Sequence, residues 1–327
     1  MTVQWSRFVE LIRNHQRFVL TSHIRPDCDA LGSELAMAGV LDAMGKHVRI
    51  VNGHATPPNL AFLDPQGRIQ TLGQDVQPAQ LADAEVIVVL DTSAWAQLGP
   101  MADVIRDSSA LRIVLDHHVS EDDLEAEAFK DTQAEAAGQL VLQAARELSV
   151  ALTPPIAAAL FAAIATDTGW FRFSSTRSST YRAAADLVDA GARPDALFKQ
   201  LYEQETISRL RLRGVILSRV ADELDGRLVH TYVLREDFTR TGALPSDTED
   251  AINLTLAIAG TEVAVIMVEQ AGGGFKLSFR SRCAVDCSRL AERFGGGGHK
   301  AAAGAFLGGT FQEVQPKVLD VVRAAMR

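Results

Sequence analysis

The stretch RFVLTSHIRPDCDALGSELAMAGVLDAMG, residues 17–45, decides the fold. It opens on an apolar β-type run, crosses a short loop carrying a proline and two aspartates, and continues with the spacing of an amphipathic helix. The same β-type pattern returns in HVRIVNG (47–53), EVIVVLDTS (85–93) and RIVLDHH (112–118). Strands alternating with helical segments predict an α/β fold with a parallel sheet, because each parallel connection must cross over and a helix is the usual crossover. After roughly residue 190 the pattern changes. Residues 195–220 read as one or two connecting helices. GRLVHTYVLRE (226–236), a helix near 247–259, EVAVIMVEQ (262–270) and FKLSFRS (275–281) then predict a smaller mixed sheet, with a last helix over 311–326. The expected organisation is a first domain over 1–190, a helical linker over 191–222 and a second α/β domain over 223–327.

Composition bounds the function. A chain of 327 residues that is 47% hydrophobic and 22% charged is an ordinary globular sequence, long enough for two cores. A formal net charge of −9 argues against a broad basic surface for long nucleic acid, which needs clustered Lys and Arg, and leaves room for a local site that takes a small anion. The segment MTVQWSRFVE lacks the apolar core of a signal peptide, and the longest apolar run, residues 156–165, is too short to span a bilayer. Three cysteines, Cys28, Cys283 and Cys287, make no CxxC pair. A cytoplasmic, reducing location is the expectation.

Three of the first-half strands end in residues able to bind metal: His23, Asp91, and the trio Asp116, His117 and His118. Ligands of open α/β sheets collect at the carboxyl ends of strands, so these side chains are expected to converge. Asp27 and Asp29 join them from the loop after the first strand, and Asp167 from the end of the helical run 153–166. Carboxylates pressed together repel, by roughly 4 kcal/mol for a pair about 4 Å apart at an effective dielectric near 20. A pair of divalent cations would cancel the charge of Asp27, Asp29, Asp91 and Asp167. Oxygen-rich ligands with a minority of imidazole suit Mn²⁺ or Mg²⁺, with Co²⁺, Fe²⁺ or Zn²⁺ as substitutes, and two such ions can activate water toward a phosphoryl centre.

Each residue also has a plainer reading. A strand-end Asp is commonly a cap or turn residue, an HH doublet is commonly solvated, and Asp29 would serve as the cap of a helix beginning at Ala30. DCDALG is no calcium loop, since its fifth position is Leu31 and its twelfth Ala38. His15, His47, His54 and His230 have no carboxylate partner nearby in sequence and are read as structural.

In the second half, FGGGGHKAAAG (294–304) is neither a phosphate-binding P-loop nor a dinucleotide fingerprint. Its glycines can end the preceding helix and bring backbone N–H groups to an anion, with His299 and Lys300 as charge-assisted donors. Arg280, at the end of KLSFR, has the fork to clamp a phosphate.

HIRPDCDALGS, VVLDTS, LDHH and ATDTGWF, in that order, resemble the four motifs of the DHH phosphoesterases, and SFRS with FGGGGHKAAAG resembles the DHHA1 domain. The likeness runs along nearly the whole chain, toward the branch of oligoribonucleases (nanoRNase type) and 3′-phosphoadenosine 5′-phosphate (pAp) phosphatases. It implies one metal on His23, Asp27 and Asp91 and a second on Asp29, Asp91, His117 and Asp167, bridged by Asp91. It further implies Asp116 as an orienting carboxylate and His118 as a group facing substrate. Ser278, Arg280, Gly297, Gly298, His299 and Lys300 would hold substrate phosphate. Cys28 departs from the family's usual small residue and is read as compact filler.

A metal centre and a second anion site on separate domains would favour short substrates. The expected activity is therefore hydrolysis of very short oligoribonucleotides to nucleoside 5′-monophosphates, and of pAp to AMP. The alternatives are a RecJ-like single-strand exonuclease, a dinucleotide phosphodiesterase, a pyrophosphatase, and a metal-stapled protein that binds nucleotides without turnover. A homodimer is expected by analogy with the family, with no membrane partner and no long duplex.

Overall fold

Six strands, β1 (Arg17–Thr21), β2 (His47–Asn52), β3 (Ile69–Thr71), β4 (Val86–Leu90), β5 (Leu111–Asp116) and β6 (Glu127–Lys130), form one sheet in the computed structural model, which describes residues 3–119 and 122–327. All pairings are parallel and the order is β3-β2-β1-β4-β5-β6. Successive side chains enter opposite cores. Phe18, Leu20, Val88, Leu90, Ile113 and Leu115 join one hydrophobic cluster, while Val19, Ile87, Val89 and Val114 join the other. Burial on both faces explains why these strands read as continuous apolar runs rather than alternating ones. The edge strands β3 (IQT) and β6 (EAFK) lack such runs and go beyond the four first-half strands expected from sequence.

Helix Cys28–Ala43 differs from its expected amphipathic character, because it is buried on nearly every side, including Ser33 and Glu34. It packs antiparallel against Pro154–Asp167, a helix of alanines, isoleucines, Leu160 and Phe161. A Cβ on Gly32 would stand 2.5 Å from the Ala159 carbonyl oxygen, so only glycine permits this approach. The crossing sets the start of the first helix beside the end of the second, which puts Asp29 near Asp167.

The chain divides into units Met1–Gln204 and Glu205–Arg327, so the stretch 191–222 is shared between them. The second unit holds a mixed sheet of β7 (Ala221–Glu223), β8 (Leu228–Val233), β9 (Val263–Glu269), β10 (Phe275–Ser281), β11 (Gly297–His299) and β12 (Ala302–Leu307). Its order is β11-β12-β10-β9-β8-β7, antiparallel except for β8 with β9. The helix expected near 247–259 is shorter, Ala251–Leu256, preceded by a 3₁₀ turn at Pro245–Thr248. The last helix spans Phe311–Ala325. Among the described residues no helix is long and apolar enough to cross a membrane.

Candidate functional site

Strand order reverses direction between β1 and β4, and a crevice opens beyond the carboxyl ends of strands at such a switch point. His23 follows β1, Asp91 follows β4, and Asp116 closes β5 with His117 and His118 just after it. Asp91 adopts a left-handed backbone (φ 60°), and its N–H donates to the Leu115 carbonyl at 3.1 Å. Aspartate tolerates this region better than most residues. The turn aims the carboxylate into the crevice, where its Oδ2 lies 3.4 Å from His23 Nε2 and its Oδ1 3.3 Å from His117 Nε2.

Around this centre the predicted residues assemble in three overlapping groups. His23, Asp27 and Asp91 each offer a ligand atom within 4.8 Å of the others, as do Asp29, His117 and Asp167, and as do Asp91, His117 and His118. Asp27 is the cap of helix Cys28–Ala43, its Oδ1 accepting the Asp29 and Ala30 N–H groups at 3.0 and 3.1 Å. This corrects the alternative in which Asp29 caps a helix starting at Ala30. Asp29 instead lies inside the first turn, only 2% exposed, and accepts the Ala137 and Gly138 N–H groups at 2.7 and 2.9 Å. Asp167 ends its helix with its side chain 37% exposed.

The imidazoles have fixed roles. His23 Nδ1 lies 2.9 Å from the Ile24 carbonyl and His117 Nδ1 3.2 Å from the Ala134 carbonyl. Each Nδ1–H is thereby spent on backbone, and the Nε2 atoms face carboxylates. His118 differs, because its Nδ1 donates to Asp116 Oδ1 at 2.8 Å, and its own backbone N–H donates to the same oxygen at 3.1 Å. With Nδ1 engaged, His118 presents only Nε2 outward, and its side chain is half exposed.

Electrostatics expose a deficit of positive charge. Burial pushes the Asp29 carboxyl well above the usual range, and the Asp91 and Asp167 charges push it further. Asp167 is raised by burial and by its carboxylate neighbours. Burial also penalises Asp91, yet His117 and His23 together hold it below the usual range. Burial opposes charging of His23 and His117, but the carboxylates beside them overcome it and raise both to about 9. Asp91 Oδ1 is buried with no hydrogen-bond partner among the described residues. Four carboxylates, two imidazoles with Nε2 turned inward and an orphaned buried oxygen fit a pair of divalent cations.

Cys28, beside these groups, is 5% exposed, and burial pushes its thiol up to about 12. That is the chemistry of packing filler rather than of a ligand or nucleophile.

In the second unit, the register aligns Ser278, Arg280, Gly297 and His299, whereas Gly298 pairs with Ala303 and Lys300 lies just beyond β11. Arg280 pairs with Ala302 and Ala302 with His299, while Ser278 pairs with Gly304 and Gly304 with Gly297. Register partners project to one face of a sheet, so Ser278, Arg280 and His299 share a face floored by Ala302 and Gly304. The glycine run is an edge strand as well as a helix stop: Gly295 is left-handed (φ 71°), and Gly297 to His299 pair with β12. A Cβ on Gly298 would meet Ala303 Cα at 2.6 Å. Gly297, Gly298, His299 and Lys300 are exposed, Ser278 and Arg280 half-buried.

Sequence reasoning overlooked Ser93 and Lys130, which both touch Asp116: Ser93 Oγ donates to its Oδ2 at 2.7 Å and Lys130 Nζ lies 3.5 Å from the same oxygen. Ser93 follows a recognised strand and was readable. Lys130 closes β6, whose four residues carry no clear strand signal.

Residues 17–164 match the DHH family, N-terminal domain, and residues 225–327 match the DHHA1 domain. A protein of Thermus thermophilus named bifunctional oligoribonuclease and PAP phosphatase NrnA is 32% identical, over 93% of this chain and 88% of its own. A Bacillus subtilis protein of the same name is 26% identical, over 90% and 92%. The crystal structure of an exopolyphosphatase-related protein from Bacteroides fragilis superposes with a TM-score of 0.81 at 26% identity, covering 98% of this chain and 94% of that one.

Proposed function

Because the chain belongs to the DHH phosphoesterase family and carries a DHHA1 domain behind its DHH half, we propose that it is a metal-dependent hydrolase. Its substrates are short oligoribonucleotides such as pApA, cut to nucleoside 5′-monophosphates, and pAp, cut to AMP. The observation that carries this reading is the placement of Asp91, with one oxygen toward His23 and the other toward His117. In the relatives named above, the two activities appear together in the name.

The two substrates share one leaving group, the 3′-oxygen of a nucleoside 5′-phosphate. In pApA and in pAp alike, a bond forms between water oxygen and phosphorus, the P–O3′ bond breaks, and a proton must reach the departing 3′-oxygen. His23, Asp27 and Asp91 would hold one cation and Asp29, Asp91, His117 and Asp167 the other, with Mn²⁺ proposed as the native ion. Bound cations would supply an activated water and charge neutralisation at the phosphoryl oxygens. His118 delivers the proton, since Asp116 fixes Nδ1 and leaves Nε2 facing outward. Arg280 and His299, with Ser278, Lys300 and the N–H groups of Gly297 and Gly298, bind the 5′-phosphate of the leaving nucleotide.

Turnover of pApA, pAp and a long single-stranded RNA by the purified protein with Mn²⁺ tests the reading. The expected result is fast release of AMP from the first two and slow attack on the third. Equal rates on short and long RNA refute the substrate assignment, and no turnover with any divalent metal refutes the enzyme.

A further inference from the structure

Lys130 is the register partner of Asp116 across the β5–β6 ladder. Its side chain is only 12% exposed, and its Nζ donates to Ser93 Oγ at 2.8 Å while standing 3.5 Å from Asp116 Oδ2. Ser93 Oγ donates to that same carboxylate oxygen at 2.7 Å. Asp116 is itself fully buried, and its other oxygen holds the His118 ring and backbone N–H. A carboxylate with one oxygen clamped from behind cannot swivel, so the clamped side determines where the second oxygen points.

We propose that Lys130 is a positioning residue for His118. Together with Ser93 it fixes Oδ2 of Asp116, and Oδ1 then holds the imidazole with Nε2 toward the departing oxygen. This inference rests on the proposed role of His118 as proton donor to the ribose 3′-oxygen.

The test compares pApA with its analogue in which sulfur replaces the 3′-oxygen of the scissile linkage. A thiolate departs without a proton, so only the oxygen substrate needs the positioned imidazole. Lys130→Met is expected to lower kcat on pApA by roughly 10- to 100-fold, with KM changed less than about 3-fold, and to lower kcat on the sulfur analogue by less than about 3-fold. Equal losses on both substrates, or no loss on pApA, overturn the proposal. His118→Ala is run alongside. If its loss is the same on both substrates, the proton-donor reading fails and the Lys130 role fails with it. A leaving-group-dependent loss in His118→Ala that is missing from Lys130→Met removes Lys130 alone. Melting curves establish that each variant is folded. Should Lys130→Met not fold, Ser93→Ala cuts the same clamp without stranding a charge, and the same selective loss is required of it.

Discussion

Asp167→Asn separates charge from shape at the candidate metal centre. Asp29 and Asp167 contribute oxygens to a cluster whose ligand atoms all lie within 4.8 Å. Two full charges at that separation repel by about 3.5 kcal/mol at an effective dielectric of about 20. Asp167 is 37% exposed, Asp29 is pushed toward its protonated form, and the charged His117 ring 3.7 Å from Asp167 offsets part of the repulsion, so the net penalty falls to about 1 kcal/mol. In chelated protein the asparagine variant should therefore be the more stable one, with a melting midpoint about 2–4 °C higher for a unit of this size. The advantage grows as pH rises above the ordinary carboxylate range. There the unfolded chain has already released its protons while the folded site still resists doing so, so metal-free wild type loses stability with each further step. Metal inverts the order. Mn²⁺ at about 100 times its dissociation constant stabilises a competent site by about 2.7 kcal/mol, whereas the variant lacks a ligand and gains less. Turnover should fall on the order of a thousandfold, about 4 kcal/mol in the barrier. Differential scanning fluorimetry with and without chelator, followed by Mn²⁺ titration and pApA hydrolysis, reads every arm. A chelated variant that melts below wild type, or one that keeps the full metal-dependent rise, would refute the reasoning.

Metal binding is expected to release protons, because His23 and His117 are raised to about 9 without metal and a ligating imidazole must be neutral. Calorimetric titration near pH 7.5 in buffers of different ionisation enthalpy should show about two protons leaving per loaded protein, and none would contradict the ligand assignment. The same shifts stabilise the metal-free fold below the ordinary histidine value near 6.5, and that contribution is lost as pH climbs through about 9. In the second unit, Arg280→Ala should raise KM for pAp and pApA by about 10- to 100-fold, and should leave KM for ApA, which has no 5′-phosphate, nearly unchanged. An equal effect on ApA would take the 5′-phosphate away from Arg280.

The central strands were legible because two-sided burial leaves an unbroken apolar run, and strand-end Asp and His then stand out against it. The edges were not: IQT and EAFK lack that run, and with EAFK went Lys130. Asp27 and Asp29 lie two residues apart, yet one caps a helix while the other is sealed inside it, a difference fixed by where the helix starts and by the Ala137 and Gly138 donors. His117 and His118 are likewise neighbours in sequence. What divides them is the partner of each Nδ1, the Ala134 carbonyl for one and Asp116 for the other, and neither pairing is a local property of the chain. The shared face of Ser278, Arg280 and His299 depends on a β12 register that links residues nearly twenty positions apart.

The left-handed turn at Asp91 narrows the routes by which such a centre can evolve. Glutamate would retain the charge, but an ordinary side chain in that conformation costs about 1–2 kcal/mol. Its extra methylene would also carry the carboxylate past the midpoint between His23 and His117. Asparagine and glycine suit the backbone and surrender the charge. Single substitutions at this position are therefore trapped between a turn that cannot form well and a carboxylate that no longer faces both His23 and His117.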